Sequence, residues 1–531
     1  VTISTGTGSN TDGGFNATGN DSVINVNTLT NALATANVTV TTGSSSDATN
    51  PQAGTITVAA PINWSALTTL TLAAASDINI NSAITANGGL IVSSGGTISA
   101  PADVNVGAFV LAAGNWVQNS GTLPAFSAKD FRITDGASFL RVTGGDGTSA
   151  TPYTVADVYG LQGIGSSSDY LSANWKLAGD IDASGTAIWN NGAGLKPIGD
   201  DNITFTGRLD GASHTITGLT INRPNTNTVG LFGIIGQGGG VSGLGLVNAS
   251  VSGRSMTGGL AGSNAGGIVQ SYISGSVSGV THTGGLVGYN TGAINLSYST
   301  ASVSGASNVG GLLGMNFGTM NQVYASGAVS GIGNLGGLVG GNIGTVVASY
   351  FDMSTTLQSS GVGNGSTSGI SGLNSAQARN ASNYSGWDFN AYWYQSGDLR
   401  PILRSEAAAA DANGVVTISN LHQLALMGAN LAGNYKLAVD IDAGAAVGTN
   451  AADIWSTGGW VPVGTYGAAF TGVFDGAGHT ITGLTVNRAA SFLGLFGNAA
   501  GTIENIGLTG EFINGYSYTG GLVGNNTGTI S

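Results

Sequence analysis

Four histidines and two duplicated carboxylate pairs are the side chains whose types could support catalysis. His214 lies four residues after Asp210, and His479 lies four residues after Asp475, in two copies of Asp-Gly-Ala-x-His-Thr-Ile-Thr-Gly. A His beside an Asp can act as an acid–base pair. The alternative is a strand-connecting turn in which both side chains satisfy local backbone groups. An active site is seldom duplicated along with its scaffold, which favours the turn.

A pair of closely spaced carboxylates is duplicated in the same way. Asp180 and Asp182 reappear as Asp440 and Asp442, and each pair flanks one Ile. Such pairs could cleave glycans, or bind calcium as in β-helical pectin-degrading enzymes. Because residues i and i+2 of a strand share a face, the Ile would point to the core and the carboxylates to solvent. The chain has no His-Glu-x-x-His motif and no Cys, so we expect no catalytic residue, metal site or cofactor.

An aromatic cluster between residues 384 and 394 is the candidate ligand-binding surface. Its proposed contact residues are Trp387, Tyr392, Trp393 and Tyr394. Aromatic rings bring large contact area at low entropic cost, and Arg400 and Arg404 nearby could engage acidic sugars. The alternative is that the rings are buried as a plug that joins one repeat unit to the next.

Two polar columns are the most regular feature of the chain. Members of each column recur at steps of 26 residues: Asn264, Asn290, Asn316 and Asn342, and Tyr272, Tyr298, Tyr324 and Tyr350. Identical side chains on stacked strands can pass hydrogen bonds along an amide ladder, and stacked rings pack offset. The columns therefore predict structural ladders, with a ligand-binding stripe as the alternative.

The elements that carry these columns are short Gly-rich repeats. Sequences of the type Gly-Gly-Leu-Val-Gly begin at residues 258, 284, 310 and 336, a looser copy begins at 230, and two more copies appear at 494 and 520. A 26-residue unit of this kind suits one coil of a parallel β-helix, whose coils stack about 4.8 Å apart. Ordering 26 residues costs about 26–52 kcal/mol, whereas four buried aliphatics return about 6–12 kcal/mol. One coil cannot stand alone, so we expect one continuous stacked array.

A larger duplication encloses these coils. The sequence beginning Asn174-Trp175-Lys176-Leu177 reappears at Asn434, and the one beginning at Phe205 reappears at Phe470. Each copy opens with apolar residues at helical spacing, after Asp157 in the first copy and after Asn420 in the second. Asp and Asn suit the N-cap position, so a short helix is predicted at the start of each copy.

Composition excludes several classes of function. The chain has 92 Gly and only 7% charged residues, yet 41% of it is hydrophobic, which argues against a disordered chain. Its 13 basic residues against 26 acidic ones speak against a nucleic-acid surface and against anionic membranes. No apolar run approaches the length of a membrane helix. The chain starts at Val1 and ends inside a repeat, so we interpret it as a piece of a longer protein.

The Gly-Gly-Leu-Val-Gly-x-Asn-x-Gly units resemble the GLUG motif. The strand-rich segment over residues 1–135, for example Leu70-Thr71-Leu72 and Ile78-Asn79-Ile80-Asn81, resembles the body of filamentous-haemagglutinin-like exoproteins of bacteria. The resemblance implies an all-β, right-handed parallel β-helix, export through an outer-membrane transporter by two-partner or related secretion, and a role in adhesion.

These observations predict five segments. They are a haemagglutinin-like β-solenoid over 1–135, lead-in strands and a helix of the first large copy over 136–228, GLUG-type coils over 229–350, an irregular aromatic connector over 351–411, and a truncated second copy over 412–531.

The leading hypothesis for the function is a non-enzymatic adhesin rod, secreted or held on the bacterial outer surface. Its expected partners are a glycan or a cell-surface receptor, and other copies of itself side by side, with no nucleic acid and no membrane insertion. The alternatives are a polysaccharide-acting β-helical enzyme and a structural extracellular fibre.

Overall fold

The computed structural model describes residues 1–43, 53–448 and 450–531. The chain divides into two compact units, one of residues 1–209, 217–223 and 231–239, and the other of residues 210–216, 224–230 and 240–531. In both units most strands pair in parallel with the equivalent strand of the next coil. The predicted fold class, an all-β parallel β-helix with a few short helices, is confirmed. The five-segment division stays a prediction.

The coils over residues 1–142 are irregular in length. Leu70 pairs with Leu90, Leu90 with Phe109, and Phe109 with Phe131, so successive coils advance by 20, 19 and 22 residues. Buried and exposed residues alternate, as in Thr69–Ala74. The strands are Thr2–Ser4, Val23–Asn25, Val38–Thr41, Ile56–Val58, Ile62–Trp64, Thr69–Ala74, Ile78–Ile80, Ile84–Ala86, Gly89–Ser99, Val104–Asn119, Phe126–Ile133 and Ser138–Val142.

The lead-in strands of the first large copy follow. They are Tyr153–Val155, Asn174–Leu177, Ile181–Asp182, Arg208–Asp210, Thr215–Thr217, Thr220–Asn222 and Phe232–Ile235.

Both predicted helix starts are confirmed. The Asp157 side chain accepts a hydrogen bond from the backbone N–H of Gly160, and Asn420 accepts one from Gln423, which satisfies amides that lack partners within the helix. A helix at Val26–Leu33, capped by Asn25, was not anticipated. The helices are Val26–Leu33, Val158–Gly163, Ser168–Ser172, Trp189–Gly192, Met353–Thr356 and Leu421–Leu426. Short 3₁₀ turns are Ile164–Ser166, Ser184–Ile188, Gln377–Arg379, Ala381–Asn383, Arg404–Glu406, Met427–Ala429 and Gly444–Val447.

The GLUG-type coils pair at a constant offset of 26 residues from Ser255 to Tyr350. The pairing of the preceding strand shifts register once, between Leu246 and Ala249. Asn290 pairs with Asn316, and Tyr298 pairs with Tyr324. The strands of this region are Gly240–Ser242, Gly245–Ser252, Ser255–Gly258, Ala261–Asn264, Gly267–Val269, Tyr272–Ser278, Thr281–Gly284, Val287–Asn290, Ala293–Ser299, Ser302–Gly310, Leu313–Asn316, Thr319–Ala325, Val329–Gly336, Val339–Asn342, Thr345–Val347, Ser349–Asp352, Val362–Gly365 and Ile370–Leu373.

Steric crowding explains the first Gly of each GLUG unit. A Cβ on Gly284 would lie 2.1 Å from the carbonyl oxygen of Val287, and one on Gly310 would lie 2.2 Å from that of Leu313. No side chain fits at such distances, so the corner of the coil requires Gly. The Leu two residues later, such as Leu286, is fully buried.

The strand ladder is interrupted rather than continuous. It ends at Ile370–Leu373, and a separate set of sheets begins at Val415–Ile418, because the intervening segment leaves the coil path. The expectation of one unbroken array is therefore wrong at this point. The remaining strands are Trp393–Tyr394, Ile402–Leu403, Val415–Ile418, Asn434–Leu437, Ile441–Asp442, Val473–Asp475, Thr480–Thr482, Thr485–Asn487, Phe496–Ala499, Thr502–Glu504, Gly507–Thr509, Phe512–Asn514, Val523–Asn526 and Thr529–Ile530.

One apolar core joins three parts of the second unit. The Tyr column, the connector aromatics and the interior of the second copy, including Trp455 and Phe474, belong to the same buried cluster. Among the described residues, no helix is long and apolar enough to cross a membrane.

Candidate functional site

The Asn column forms a buried amide ladder. Nδ2 of Asn264 donates to Oδ1 of Asn290 at 2.8 Å, and the same bond joins Asn290 to Asn316 and Asn316 to Asn342 at 2.9 Å. Asn342 in turn donates to the carbonyl of Ser366. All four side chains are at most 1% exposed, so the column offers no surface to a ligand.

The Tyr column is buried and faces the connector. The rings of Tyr272, Tyr298 and Tyr324 stack at 4.9 Å between centroids, within 4° of parallel. The ring of Tyr350 instead packs edge-on against Tyr384 at 4.8 Å. This geometry is that of a structural ladder.

The hydroxyl groups of the column tie the connector to the coils. The hydroxyl of Tyr298 donates to Oε1 of Glu406 at 3.0 Å, that of Tyr324 to the carbonyl of Pro401, and that of Tyr350 to the carbonyl of Ser385. Burial and the neighbouring Glu406 carboxylate hold the pKa of Tyr298 well above its usual range. Each of these three Tyr residues thus satisfies its buried polar atom within the connector.

The connector aromatics are a plug and not a binding surface. Trp393 is fully buried, Trp387 is 9% exposed and Tyr394 is 7% exposed. The two Trp rings stack on each other at 4.0 Å, and Nε1 of Trp387 donates to the carbonyl of Ala348. The prediction of a ligand-binding surface at these three residues is wrong. Their rings already pack against the coils, so they leave no aromatic face for a ligand to contact.

Tyr392 is the exception in this cluster, at 44% exposure. With its neighbours buried, it presents a single ring and no extended aromatic face.

The two Arg residues expected to contact acidic sugars bind protein groups instead. Arg400 is fully buried, and its Nη2 lies 2.6 Å from Oδ2 of Asp352. Arg404 donates to the carbonyls of Phe389 and Trp393. A buried charge such as that of Arg400 needs such a partner to offset its loss of water. Arg400 is therefore closed to a sugar, and Arg404 has its Nε and Nη2 groups bonded to backbone carbonyls.

A buried contact between Glu406 and His422 was not predicted from the sequence. Nδ1 of His422 lies 2.5 Å from Oε2 of Glu406, and the imidazole stacks on Tyr272. Burial disfavours protonation of His422, but the charge and hydrogen bond of Glu406 outweigh it, so the pKa of His422 is raised. Glu406 lies outside the repeats, and the first large copy has Tyr159 at the position of His422, so no repeated pattern pointed to them.

The duplicated Asp-His sequences are turns. Oδ1 of Asp210 accepts the backbone N–H of Ala212, and Oδ1 of Asp475 accepts that of Ala477. Ala212 and Ala477 both have left-handed φ angles, of 51° and 53°, as a tight strand connection requires. His479 lies 3.2 Å from Asp440, a residue of another coil. The interpretation as a turn therefore describes both copies.

The closely spaced carboxylates lie on the outside of the coil. Ile181 and Ile441 are buried, whereas Asp182 and Asp442 are exposed and each accepts the backbone N–H of the residue two positions later. Within the described residues, no group of three or more His, Asp or Glu side chains could hold a metal ion.

Comparisons with known proteins give partial matches. No family model matches the chain. The chain is 39% identical over 150 residues to halomucin of Haloquadratum walsbyi, a stretch that covers 27% of the chain and 2% of halomucin. It is 36% identical over 128 residues to a protein of Evansella cellulosilytica provisionally described as a Gly-rich membrane protein, covering 23% of the chain and 14% of that protein. The chain thus spans a small part of either relative.

A solved structure is also similar to part of the chain. It is provisionally described as an immunoglobulin A1 protease of Bacteroides ovatus, with 19% sequence identity and a TM-score of 0.39, and the match covers 50% of this chain and 95% of that one.

Proposed function

We propose that the chain is a non-catalytic β-helical part of a secreted or surface-exposed adhesin, which presents binding surface to a glycan or a cell-surface receptor. One observation carries the proposal. The side chains that could do chemistry are engaged in the coil itself, with the Asn and Tyr columns buried and the duplicated Asp residues bound to turn amides.

The placement of the duplicated carboxylates supports the non-enzymatic part of the proposal. Glycan cleavage requires two carboxyl groups that face one bond. In each duplicated pair the second Asp, Asp182 or Asp442, ends a short strand of the coil and accepts the backbone N–H of the residue two positions later.

A location outside the cell agrees with the names of the relatives. One relative is named a mucin and the other is described as a membrane protein. The acidic charge balance of 13 basic against 26 acidic residues favours solubility of an exposed surface. The resemblance to filamentous-haemagglutinin-like exoproteins would add export by an outer-membrane transporter.

Binding to an array of cell-surface glycans, followed by mass spectrometry of the glycans, tests the proposal. The account expects the fluorescently labelled chain to be retained on a subset of glycans whose masses do not change. The heat-unfolded chain serves as the control and should not be retained. Shortened glycans would show an enzyme. Absence of retention, together with large assemblies in sedimentation, would show a structural fibre.

A further inference from the structure

A pocket of about 290 Å³ lies within the first unit. It is bounded by the turn at residues 133–137, the segment from Gln162 to Leu171, and the loop at residues 196–203. We call it the Lys196 pocket. Small-molecule sites usually measure about 300–1,000 Å³, so its size suits one sugar unit and not a chain of several.

Charged side chains are concentrated around the Lys196 pocket. Nζ of Lys196 lies 2.5 Å from Oδ1 of Asp135, and Asp200 also lines the pocket. Charged residues make up only 7% of the chain, and Lys196 is one of four Lys. Because charged residues are so rare in this chain, a cluster of three at one pocket indicates a role beyond solubility.

The second copy shows that this charge is not needed to build the coil. Lys196-Pro-Ile-Gly-Asp200 corresponds to Val461-Pro-Val-Gly-Thr465. In both copies the central apolar residue bridges in parallel to a Phe of the next coil, Ile198 to Phe232 and Val463 to Phe496. The same bridge therefore forms with Val and Thr in place of Lys196 and Asp200, so the pairing of this segment with the next coil does not require the two charges.

The loop and the floor of the Lys196 pocket are held rigidly. Oδ1 of Asp200 accepts the backbone N–H groups of Asn202 and Ile203. Asn190, another lining residue, has a left-handed φ of 53° and donates its backbone N–H to Oδ1 of Asp130. Strained backbone that surrounding bonds fix in place is typical of binding sites.

The charges of the pocket favour an uncharged ligand over an acidic one. Asp135 and Asp200 outnumber Lys196, whose charge is already matched by Asp135. An acidic sugar would be repelled, whereas sugar hydroxyls can donate to carboxylates and accept from an ammonium group. Pro197 and Ile203 supply apolar surface to the same pocket. We propose that the Lys196 pocket binds one uncharged hexose unit of a glycan, an inference that rests on the proposed adhesin function.

Titration calorimetry of the full chain tests the proposal. The probes are glucose, galactose, mannose and N-acetylglucosamine, with glucuronic acid as the acidic comparison. At least one neutral sugar should bind, and glucuronic acid should bind at least about tenfold more weakly, which corresponds to about 1.4 kcal/mol. The double variant Lys196→Val with Asp200→Thr, which carries the residues of the second copy, should lose binding.

Two further variants keep the test decisive. Lys176→Val removes an exposed Lys of the same unit outside the pocket and should bind as the unchanged chain does. Asp135→Asn alters a side chain that is 89% exposed, so it should weaken binding without altering the melting temperature, even if the double variant fails to fold.

The outcomes separate the pocket from the adhesin function. Neutral-sugar binding that persists in both the double variant and Asp135→Asn would overturn the Lys196 pocket and leave the adhesin function standing. Retention on the glycan array without binding of any neutral monosaccharide would do the same. Tighter binding of glucuronic acid than of any neutral sugar would overturn the charge argument. Absence of any retention on the array would contradict the adhesin function itself.

Discussion

His422 of the second copy and Glu406 of the connector form a buried contact of 2.5 Å between Nδ1 and Oε2. The other carboxylate oxygen of Glu406 accepts the hydroxyl of Tyr298 and the backbone N–H of Leu403. One carboxylate thereby connects the GLUG-type coils, the connector and the second copy.

This contact makes the stability of the second unit depend on pH. The pKa of His422 is raised in the folded chain by Glu406, with Asp453 adding to the effect. A raised folded pKa gives stability that is fully present below the unfolded value of about 6.5 and is lost as pH rises through the folded value. Melting temperatures measured from about pH 5 to about pH 9 should therefore fall as the pH rises through the folded pKa of His422. In His422→Gln this part of the pH dependence should vanish, and its persistence would contradict the assignment.

The Asn ladder predicts a large cost for Asn290→Leu. The substitution strands Nδ2 of Asn264 and Oδ1 of Asn316, at about 1–3 kcal/mol for each buried group. Urea unfolding should show the loss. Ser304→Leu introduces the same side chain at an exposed position of a neighbouring strand and should change stability by less than about 0.5 kcal/mol. Equal effects of the two variants would argue against the ladder.

The plug predicts opposite behaviour of two adjacent aromatic residues. Trp393→Ala should destabilise the chain by about 3–5 kcal/mol, because it removes a fully buried ring. Tyr392→Ala, at a half-exposed position, should stay within about 0.5 kcal/mol of the unchanged chain. Limited proteolysis provides a second measurement, since loss of the plug should expose the connector to cleavage. A connector that stays resistant in Trp393→Ala would contradict the plug.

The coil corner predicts a sharp difference between two Gly residues. Gly284→Ala would place a Cβ 2.1 Å from a backbone oxygen, whereas Gly267→Ala meets no atom within 4 Å. The first variant should lower the melting temperature strongly or prevent folding, because backbone must shift in two directions at once. Gly267→Ala should melt close to the unchanged chain. A Gly284→Ala chain that melts normally would show that the corner adapts.

The parts of the fold that repeat could be predicted from the sequence. The 26-residue register follows from the repeat, because each coil contacts its neighbour at a fixed separation in sequence. The caps at Asp157 and Asn420 follow from the residue type that precedes each run of helical spacing. The contact of Tyr298 with Glu406 joins residues 108 positions apart, and no period encodes it. The same holds for the burial of Trp387 and Trp393, since exposed and buried rings look alike in a segment without periodicity. The Lys196 pocket likewise depends on loops from separate coils.

The most direct test is disulfide formation between two Cys residues introduced on adjacent coils, which reports which residues of the two coils pair. The chain has no Cys, so a pair of introduced Cys residues can react only with each other within one molecule. Ser276 and Ser302 are exposed register partners on adjacent coils, and paired strands lie about 4.8 Å apart, within the range that a disulfide spans. The account predicts that Ser276→Cys with Ser302→Cys forms a disulfide rapidly in the folded chain, whereas Ser276→Cys with Ser304→Cys does not. Equal rates for the two pairs, or faster reaction of the second pair, would contradict the stacked 26-residue coil on which the Asn ladder, the Tyr column and the plug depend.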